Sequence, residues 1–219
     1  MGGGVAITCD GNSLTAGLRS SNPAVNSYPA VLATLAPIVG TGTTVTNLGI
    51  SGQTGQDMTN SRGDVSGAWV SGKKNVLICY EFTNSVYSGR TPTQAVDDLL
   101  AYVAAVKATN KWIVAVATCP PAYAVLQGDA LNQANSDKFN ALLDAANAQL
   151  AARWRGVADY FIDMRANGSQ MNITPYTPAA FAASGMFVQE NGLWLHCSDA
   201  GYAAMAQAFA SAIARMPGR

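Results

Sequence analysis

The sequence predicts an α/β protein, a three-layer α/β/α sandwich with a five-stranded parallel sheet, and three observations favour this class. Short β-rich segments alternate with helical patterns along the 219 residues, and most of the β-rich segments are continuous apolar runs. Hydrophobic residues make up 49% of the chain and charged residues only 12%, which is enough apolar material for a sizeable core. Continuous apolar strands between helices are typical of a sheet that is covered on both faces. A chain of this length is expected to form one domain over residues 1–219.

Five segments have the composition of strands. They are short, rich in apolar and β-branched residues, and bounded by turn-forming or polar residues. The segments are Val5 to Cys9, Thr44 to Leu48, Asn75 to Tyr80, Trp112 to Ala117, and Tyr160 to Met164. In a parallel sheet of this kind, ligands bind beyond the carboxyl ends of the strands, so the loops that follow these segments are the places where we expect chemistry.

Four segments have the apolar spacing of helices. Thr91-Pro92-Thr93-Gln94 combines a hydroxyl N-cap, a first-turn proline and a capping-box glutamine, and apolar residues recur at helical spacing from Val96 to Val106. The other three helices are expected over residues 28–35, 139–154 and 202–213.

The segment 167–191 is rich in Gly, Pro, Asn, Ser and Thr, and an irregular connection of this length is usually functional or mobile.

Charge and composition argue against several classes of protein. The 13 basic residues balance the 13 acidic residues, whereas nucleic acids and anionic membrane surfaces attract a basic excess. No apolar run approaches the ~20 residues that span a bilayer, and we see no leader segment, so the compartment stays open. The cysteines are too scattered for a disulfide framework or a zinc site, and we expect mostly buried thiols. They are Cys9, Cys79, Cys119 and Cys197.

The turn after the first predicted strand lacks a phosphate-binding motif. Its sequence, Asp10 to Gly17, matches neither G-x-G-x-x-G nor G-x-x-x-x-G-K-[ST], which disfavours a nucleotide-binding protein. The turn does offer Ser13, placed just past a strand and where a helix should begin. Taken alone, Ser13 fits a helix N-cap as well as a nucleophile.

Four blocks, in order along the chain, resemble those of the GDSL or SGNH hydrolases. Gly11-Asn12-Ser13-Leu14-Thr15 is similar to the G-D-S-L block, and Asn47 to Thr54 is similar to the second block. Phe82-Thr83-Asn84-Ser85 resembles the G-x-N-D block, and His196 to Tyr202 resembles the last block. The resemblance spans nearly the whole chain. It implies a flavodoxin-like SGNH fold that hydrolyses carboxylic esters with no metal or organic cofactor.

The resemblance also implies roles for individual residues. Ser13 is the nucleophile, and the oxyanion hole consists of the main-chain amides of Ser13 and Gly52 with the side chain of Asn84. His196, the one histidine of the chain, is the general base. In this scheme His196 takes the Ser13 proton, the Ser13 oxygen attacks an ester carbonyl, and water releases the acyl group.

The third catalytic position departs from the family pattern. The family usually carries aspartate three residues before the histidine, where this chain has Leu193. We therefore predict a Ser-His dyad in which the main-chain carbonyl of Leu193 orients His196. The carboxylates that are alternatives to this carbonyl are Asp163, Glu190 and Asp199. Asn12, Phe82 and Ser85 also differ from the family blocks, but these differences leave the four assigned residues in place.

Two further side chains are candidates for substrate binding. Trp194 either stacks on a sugar or caps the core, and Glu81 is either a buried structural carboxylate or a hydrogen-bonding group for the substrate. We expect a small-molecule or carbohydrate ester with a short acyl group such as acetyl, because no amphipathic lid-like helix is evident. The alternative is a non-catalytic carbohydrate-binding module, against which the presence of Ser13, Asn84 and His196 argues. The oligomeric state stays open.

Overall fold

A computed structural model describes residues 4–35 and 42–216, and its centre is a five-stranded parallel sheet. The strands are β1 (Val5–Gly11), β2 (Thr44–Asn47), β3 (Lys74–Tyr80), β4 (Ile113–Ala117) and β5 (Tyr160–Ile162). Their order is β2-β1-β3-β4-β5, and every pairing in this sheet is parallel. The predicted α/β class is confirmed, with the flavodoxin-like strand order. The predicted strand ends differ from these by at most two residues.

Helices connect the strands and follow the last of them. They are α1 (Ser13–Ala16), α2 (Pro23–Asn26), α3 (Tyr28–Thr34), α4 (Gly55–Asn60), α5 (Arg62–Gly67), α6 (Thr83–Tyr87), α7 (Pro92–Lys107), α8 (Gln133–Arg153), α9 (Pro178–Ser184) and α10 (Asp199–Ala214). The predicted capping box of α7 is present, since Thr91 and Gln94 each bond the other's main-chain amide. Within the described parts of the chain, no helix is long and apolar enough to cross a membrane.

Both faces of the sheet are covered by helices. On one face Tyr80 of β3 packs with Phe209 of α10, which also contacts Tyr28 of α3. On the other face Asp10 of β1 accepts a hydrogen bond from Tyr102 of α7, and α7 packs against α4 and α8. Side chains alternate between the two helical layers with the period of two that a strand imposes. This double burial explains why the strands are continuous apolar runs.

A β-hairpin occupies the end of the segment that we expected to be irregular. β6 (Phe187–Glu190) and β7 (Leu193–Cys197) pair antiparallel. Asn191 and Gly192 join them with φ of 51° and 84°, the left-handed geometry that suits a two-residue hairpin turn. With α9, this hairpin corrects the prediction for residues 178–191, whereas residues 167–177 form no helix or strand, as expected. The Asn-Gly pair is the signal in the sequence that predicts such a turn.

The four cysteines are buried and free, as expected. Burial raises the pKa of each thiol, which keeps it in the neutral form. They therefore act as small apolar side chains of the core.

Candidate active site

Three of the predicted site residues follow neighbouring strands at the carboxyl edge of the sheet. Ser13 is the second residue after β1, Gly52 lies in the loop after β2, and Asn84 lies in the first turn of α6 after β3. Because β1 lies between β2 and β3, the three loops are adjacent. The sheet topology thus gathers residues that are far apart in sequence at one edge.

The turn that carries Ser13 is shaped by its two preceding residues. The Asn12 side chain is the N-cap of α1 and accepts a hydrogen bond of 2.9 Å from the Leu14 amide. Gly11 is required by close packing, because a Cβ there would lie 2.2 Å from the Tyr80 carbonyl oxygen. Since Asn12 is the cap, the structure does not support the N-cap interpretation of Ser13. The Ser13 hydroxyl is available for other contacts.

The Ser13 hydroxyl faces the imidazole of His196. Ser13 Oγ and His196 Nε2 are 3.1 Å apart, a separation at which a neutral imidazole can accept the hydroxyl proton. His196 lies on β7, immediately before the last helix. The two residues are 183 positions apart in sequence and meet only in the folded chain.

The other ring nitrogen of His196 faces a carboxylate. His196 Nδ1 is 3.4 Å from Glu190 Oε2, and Glu190 Oε1 accepts a hydrogen bond from the Arg19 guanidinium. The prediction that the Leu193 carbonyl orients the histidine is therefore corrected. Glu190 lies six positions before the histidine, whereas the family usually carries aspartate three positions before it.

The geometry of the hairpin explains this displacement. Glu190 pairs with Leu193 directly across the turn. One residue of β6, Val188, then faces two residues of β7, Leu195 and His196, which is a β-bulge. A regular register would pair His196 with Phe187 and point its ring away from the face that carries Glu190. Because of the extra residue, the side chains of His196 and Glu190 point to the same face of the hairpin.

The other two candidate acids make different contacts. Asp163 accepts hydrogen bonds from the Thr118 hydroxyl and the Arg165 amide. Asp199 accepts bonds from the amide and hydroxyl of Ser21, which attaches α10 to the loop after α1. Both carboxylates therefore serve local structure.

The burial of the imidazole favours its neutral form at pH 7. Burial lowers the pKa of His196 below its ordinary value of 6.5, and the Glu190 carboxylate opposes this effect. The hydrogen bond from Arg19 lowers the pKa of Glu190, so that the carboxylate is ionised at neutral pH. No sequence pattern points to Arg19, which lies on a polar loop with no motif and adopts a left-handed conformation with φ of 70°.

The loop that carries Gly52 is attached to both neighbouring segments by Gln53. Gln53 Nε2 donates to the Gly11 carbonyl (2.9 Å) and to the Asp10 carboxyl (3.2 Å). The Gln53 carbonyl accepts a bond of 2.9 Å from Asn84 Nδ2. Because a primary amide has two N–H donors, Asn84 keeps a second donor for another acceptor.

The two predicted substrate-binding residues lie in different environments. Glu81 is completely buried and accepts hydrogen bonds from the Asn84 amide, the Ser85 hydroxyl and the Asn12 side chain. The substrate-binding interpretation of Glu81 is therefore wrong, and the buried carboxylate was the correct alternative. Trp194 is half-buried: it packs against the hydrophobic core, and its main chain pairs with that of Tyr123 in both directions. Stacking of Trp194 on a sugar stays a prediction.

Two carboxyl groups next to the site have pKa values above their ordinary range. The pKa of Glu81 is about 7 and that of Asp10 is about 6, in both cases mainly because burial penalises the charged form. The hydrogen bonds that each carboxyl accepts offset this penalty only in part.

The stability of the protein is expected to depend on the ionisation of Glu81. Because its pKa in the folded state exceeds the ordinary value of 4.5, its favourable contribution is present below that pH and is lost as the pH rises through about 7. Glu81→Gln cannot ionise, so its free energy of unfolding relative to the parent should rise by ~2 kcal/mol from pH 5 to pH 8. Urea unfolding of both proteins at the two pH values measures this difference. An equal difference at both values would contradict the raised pKa.

A three-layer α/β protein with a histidine in contact with a serine at the carboxyl edge of its sheet has the architecture of one class of ester hydrolases. The model of the GDSL-like lipase/acylhydrolase family matches residues 9–204 of this sequence. The chain belongs to this family, and the resemblance inferred from its four blocks is confirmed. Family membership supports a hydrolase that acts on esters.

Solved structures share the fold over almost the whole chain. A member of the lipolytic protein G-D-S-L family from Veillonella parvula DSM 2008 has a TM-score of 0.70 at 20% identity, covering 97% of this chain and 100% of that one. A carbohydrate acetylesterase family member from Sinorhizobium meliloti has a TM-score of 0.61 at 14% identity, covering 94% and 95%. An inhibitor-bound aryl esterase from M. smegmatis has a TM-score of 0.60 at 16% identity, covering 94% and 96%. The sequence matches no curated protein.

Proposed function

We propose that this protein hydrolyses carboxylic esters through an acyl-Ser13 intermediate. The observation that carries the proposal is the 3.1 Å separation of His196 Nε2 and Ser13 Oγ, which is within reach for proton transfer. Membership of the GDSL-like lipase/acylhydrolase family supports ester hydrolysis in general.

In the first step, neutral His196 accepts the Ser13 proton on Nε2 while the Ser13 oxygen attacks the ester carbonyl. This requires the tautomer with the proton on Nδ1, the nitrogen that lies 3.4 Å from Glu190 Oε2. The carboxylate then stabilises the imidazolium that forms. The imidazolium returns the proton to the leaving alcohol, and His196 activates a water molecule to release the acyl group.

The tetrahedral intermediate needs donors for its oxyanion. We assign this role to the main-chain amides of Ser13 and Gly52 and to the second N–H of Asn84 Nδ2. Gly52 has a positive φ of 84°, a conformation in which a side chain is strained. Such prearranged donors stabilise charge that develops only in the transition state.

We propose a short acyl group, such as acetyl on a carbohydrate or a small alcohol. The helices that follow the strands at this edge are short: α1 has four residues, α4 has six and α6 has five. A long amphipathic helix of the kind that covers a lipid-binding site is not among them. The fold is also shared with a carbohydrate acetylesterase family member.

The test is hydrolysis of p-nitrophenyl esters with and without a serine-directed fluorophosphonate. We expect turnover of the acetate, slower turnover of the octanoate, and inactivation by one phosphonyl group on the peptide that contains Ser13. Mass spectrometry of the digested protein locates the label. Folded protein that neither hydrolyses any of these esters nor takes up the label would refute the proposal and favour the non-catalytic carbohydrate-binding module.

A further inference from the structure

Glu81 lies at the junction of the nucleophile turn and the Asn84 segment. It directly follows β3 and is completely buried. Its Oε1 accepts a bond of 2.7 Å from the Asn84 amide and lies 3.4 Å from Asn12 Nδ2. Its Oε2 accepts a bond of 3.0 Å from the Ser85 hydroxyl. One oxygen atom therefore contacts both segments, and the second oxygen contacts only the helix that begins beside it.

We propose that Glu81 is a positioning residue for ester hydrolysis, whose Oε1 holds the Ser13 turn and the oxyanion donor Asn84 in a fixed relation. This inference rests on the function proposed above. It assigns to Glu81 a role through Asn12 and Asn84, with no contact to the substrate.

The connection to the nucleophile runs through the Asn12 side chain. Asn12 Oδ1 caps α1 by accepting from the Leu14 amide, and Asn12 Nδ2 donates to Glu81. One end of this planar amide thus bonds Leu14, the residue after Ser13, and the other end bonds Glu81. A shift of Glu81 would rotate this amide and move the backbone that presents the Ser13 hydroxyl.

The connection to the oxyanion hole runs through the backbone of Asn84. Glu81 holds the main-chain amide of Asn84, and the Gln53 carbonyl holds its side-chain amide. Two points of attachment fix both the position and the rotation of the donor. Oxyanion donors must be prearranged within a fraction of an ångström to stabilise a transition state, so the loss of one attachment should lower kcat.

Burying a carboxyl group costs free energy, even when the group accepts hydrogen bonds from three donors. This cost favours a functional role for Glu81 over a purely structural one. Burial raises the pKa of Glu81 to about 7 in spite of the bonds it accepts. The titratable group that faces Glu81 from the segment after β4 is the thiol of Cys119, which burial keeps neutral. The groups that contact it from the turn after β1 and from α6 are the uncharged side chains of Asn12 and Ser85.

The first test compares three variants on p-nitrophenyl acetate. Glu81→Met keeps the volume but removes both acceptors, and should lower kcat ~10²-fold with little change in KM, as for the loss of an oxyanion donor. Glu81→Gln keeps an oxygen at the Oε1 position and should restore kcat to within about tenfold of the parent. Ser85→Ala removes the partner of Oε2 and leaves both bonds of Oε1 in place. It also removes the acceptor of the Gly55 amide at the start of α4, and kcat should still stay within about tenfold of the parent.

The second test is a double-mutant cycle. Asn84→Ala should by itself lower kcat ~10²-fold. If Glu81 acts mainly through Asn84, then Glu81→Met in the Asn84→Ala background should cost much less than it costs in the parent. If the double variant loses the full product of the two single-variant losses in kcat, the proposal is overturned. A general structural defect would lower kcat by the same factor whether or not Asn84 is present.

A third pair of variants keeps the proposal testable if Glu81→Met does not fold. Glu81→Asp keeps the charge but withdraws the acceptor by one methylene, whereas Glu81→Gln keeps the acceptor and loses the charge. Positioning by Oε1 predicts a higher kcat for the glutamine variant, and the opposite order would refute it. An active parent with parent-like Glu81 variants would refute this inference alone, whereas an inactive parent would refute the proposed function itself.

Discussion

Replacement of Ser13 by alanine is expected to abolish ester hydrolysis, with a fall in kcat of at least ~10³-fold, because the variant has no oxygen to form the acyl intermediate. The fold should be retained, since the side-chain hydrogen bond of Ser13 is to His196 and the cap of α1 is Asn12. Steady-state hydrolysis of p-nitrophenyl acetate measures the loss, and circular dichroism and urea unfolding measure the fold.

The matched control for this prediction is Ser20→Ala. The Ser20 hydroxyl donates to the Gly17 carbonyl within the same loop and makes no contact with His196. Its exchange should leave kcat within about tenfold of the parent. Activity of Ser13→Ala within about tenfold of the parent, in protein free of contaminating esterase, would show that Ser13 is not the nucleophile.

Replacement of Glu190 by glutamine is expected to lower kcat by ~10³-fold or more, because a true triad carboxylate both orients the histidine and stabilises the imidazolium. The pH profile supplies a second readout. The Glu190 carboxylate raises the pKa of His196, so its removal should move the acid limb of kcat/KM to lower pH. A general loss of structure would not produce this shift.

The controls are the two carboxylates that bond elsewhere. Asp163→Asn and Asp199→Asn should each stay within about tenfold of the parent, because neither faces the imidazole in the structure. If Glu190→Gln also stays within that range and its acid limb does not move, Glu190 is not the acid. The histidine would then be oriented by a main-chain oxygen, as the sequence analysis predicted for Leu193.

The covered sheet and its strand positions were predictable because they follow from local apolar runs. β3 and β4 are buried on both faces, and their sequences are therefore almost continuously apolar. The start of α8 was placed six residues too late because its first two turns, from Gln133 to Lys138, are polar and carry no apolar stripe. Only the Asn132 side chain, which caps the helix, marks its beginning.

The sequence by itself determined the class of fold, the family, and the residues Ser13, Gly52, Asn84 and His196 as candidates, because each lies in a short block whose residue types and order carry the information. The tertiary structure alone decided which carboxylate faces the histidine. Glu190 and Arg19 are 171 positions apart in sequence, so no local pattern joins them. The face on which His196 points depends on one extra residue in β7, and a change of one residue in register reverses the direction of every side chain.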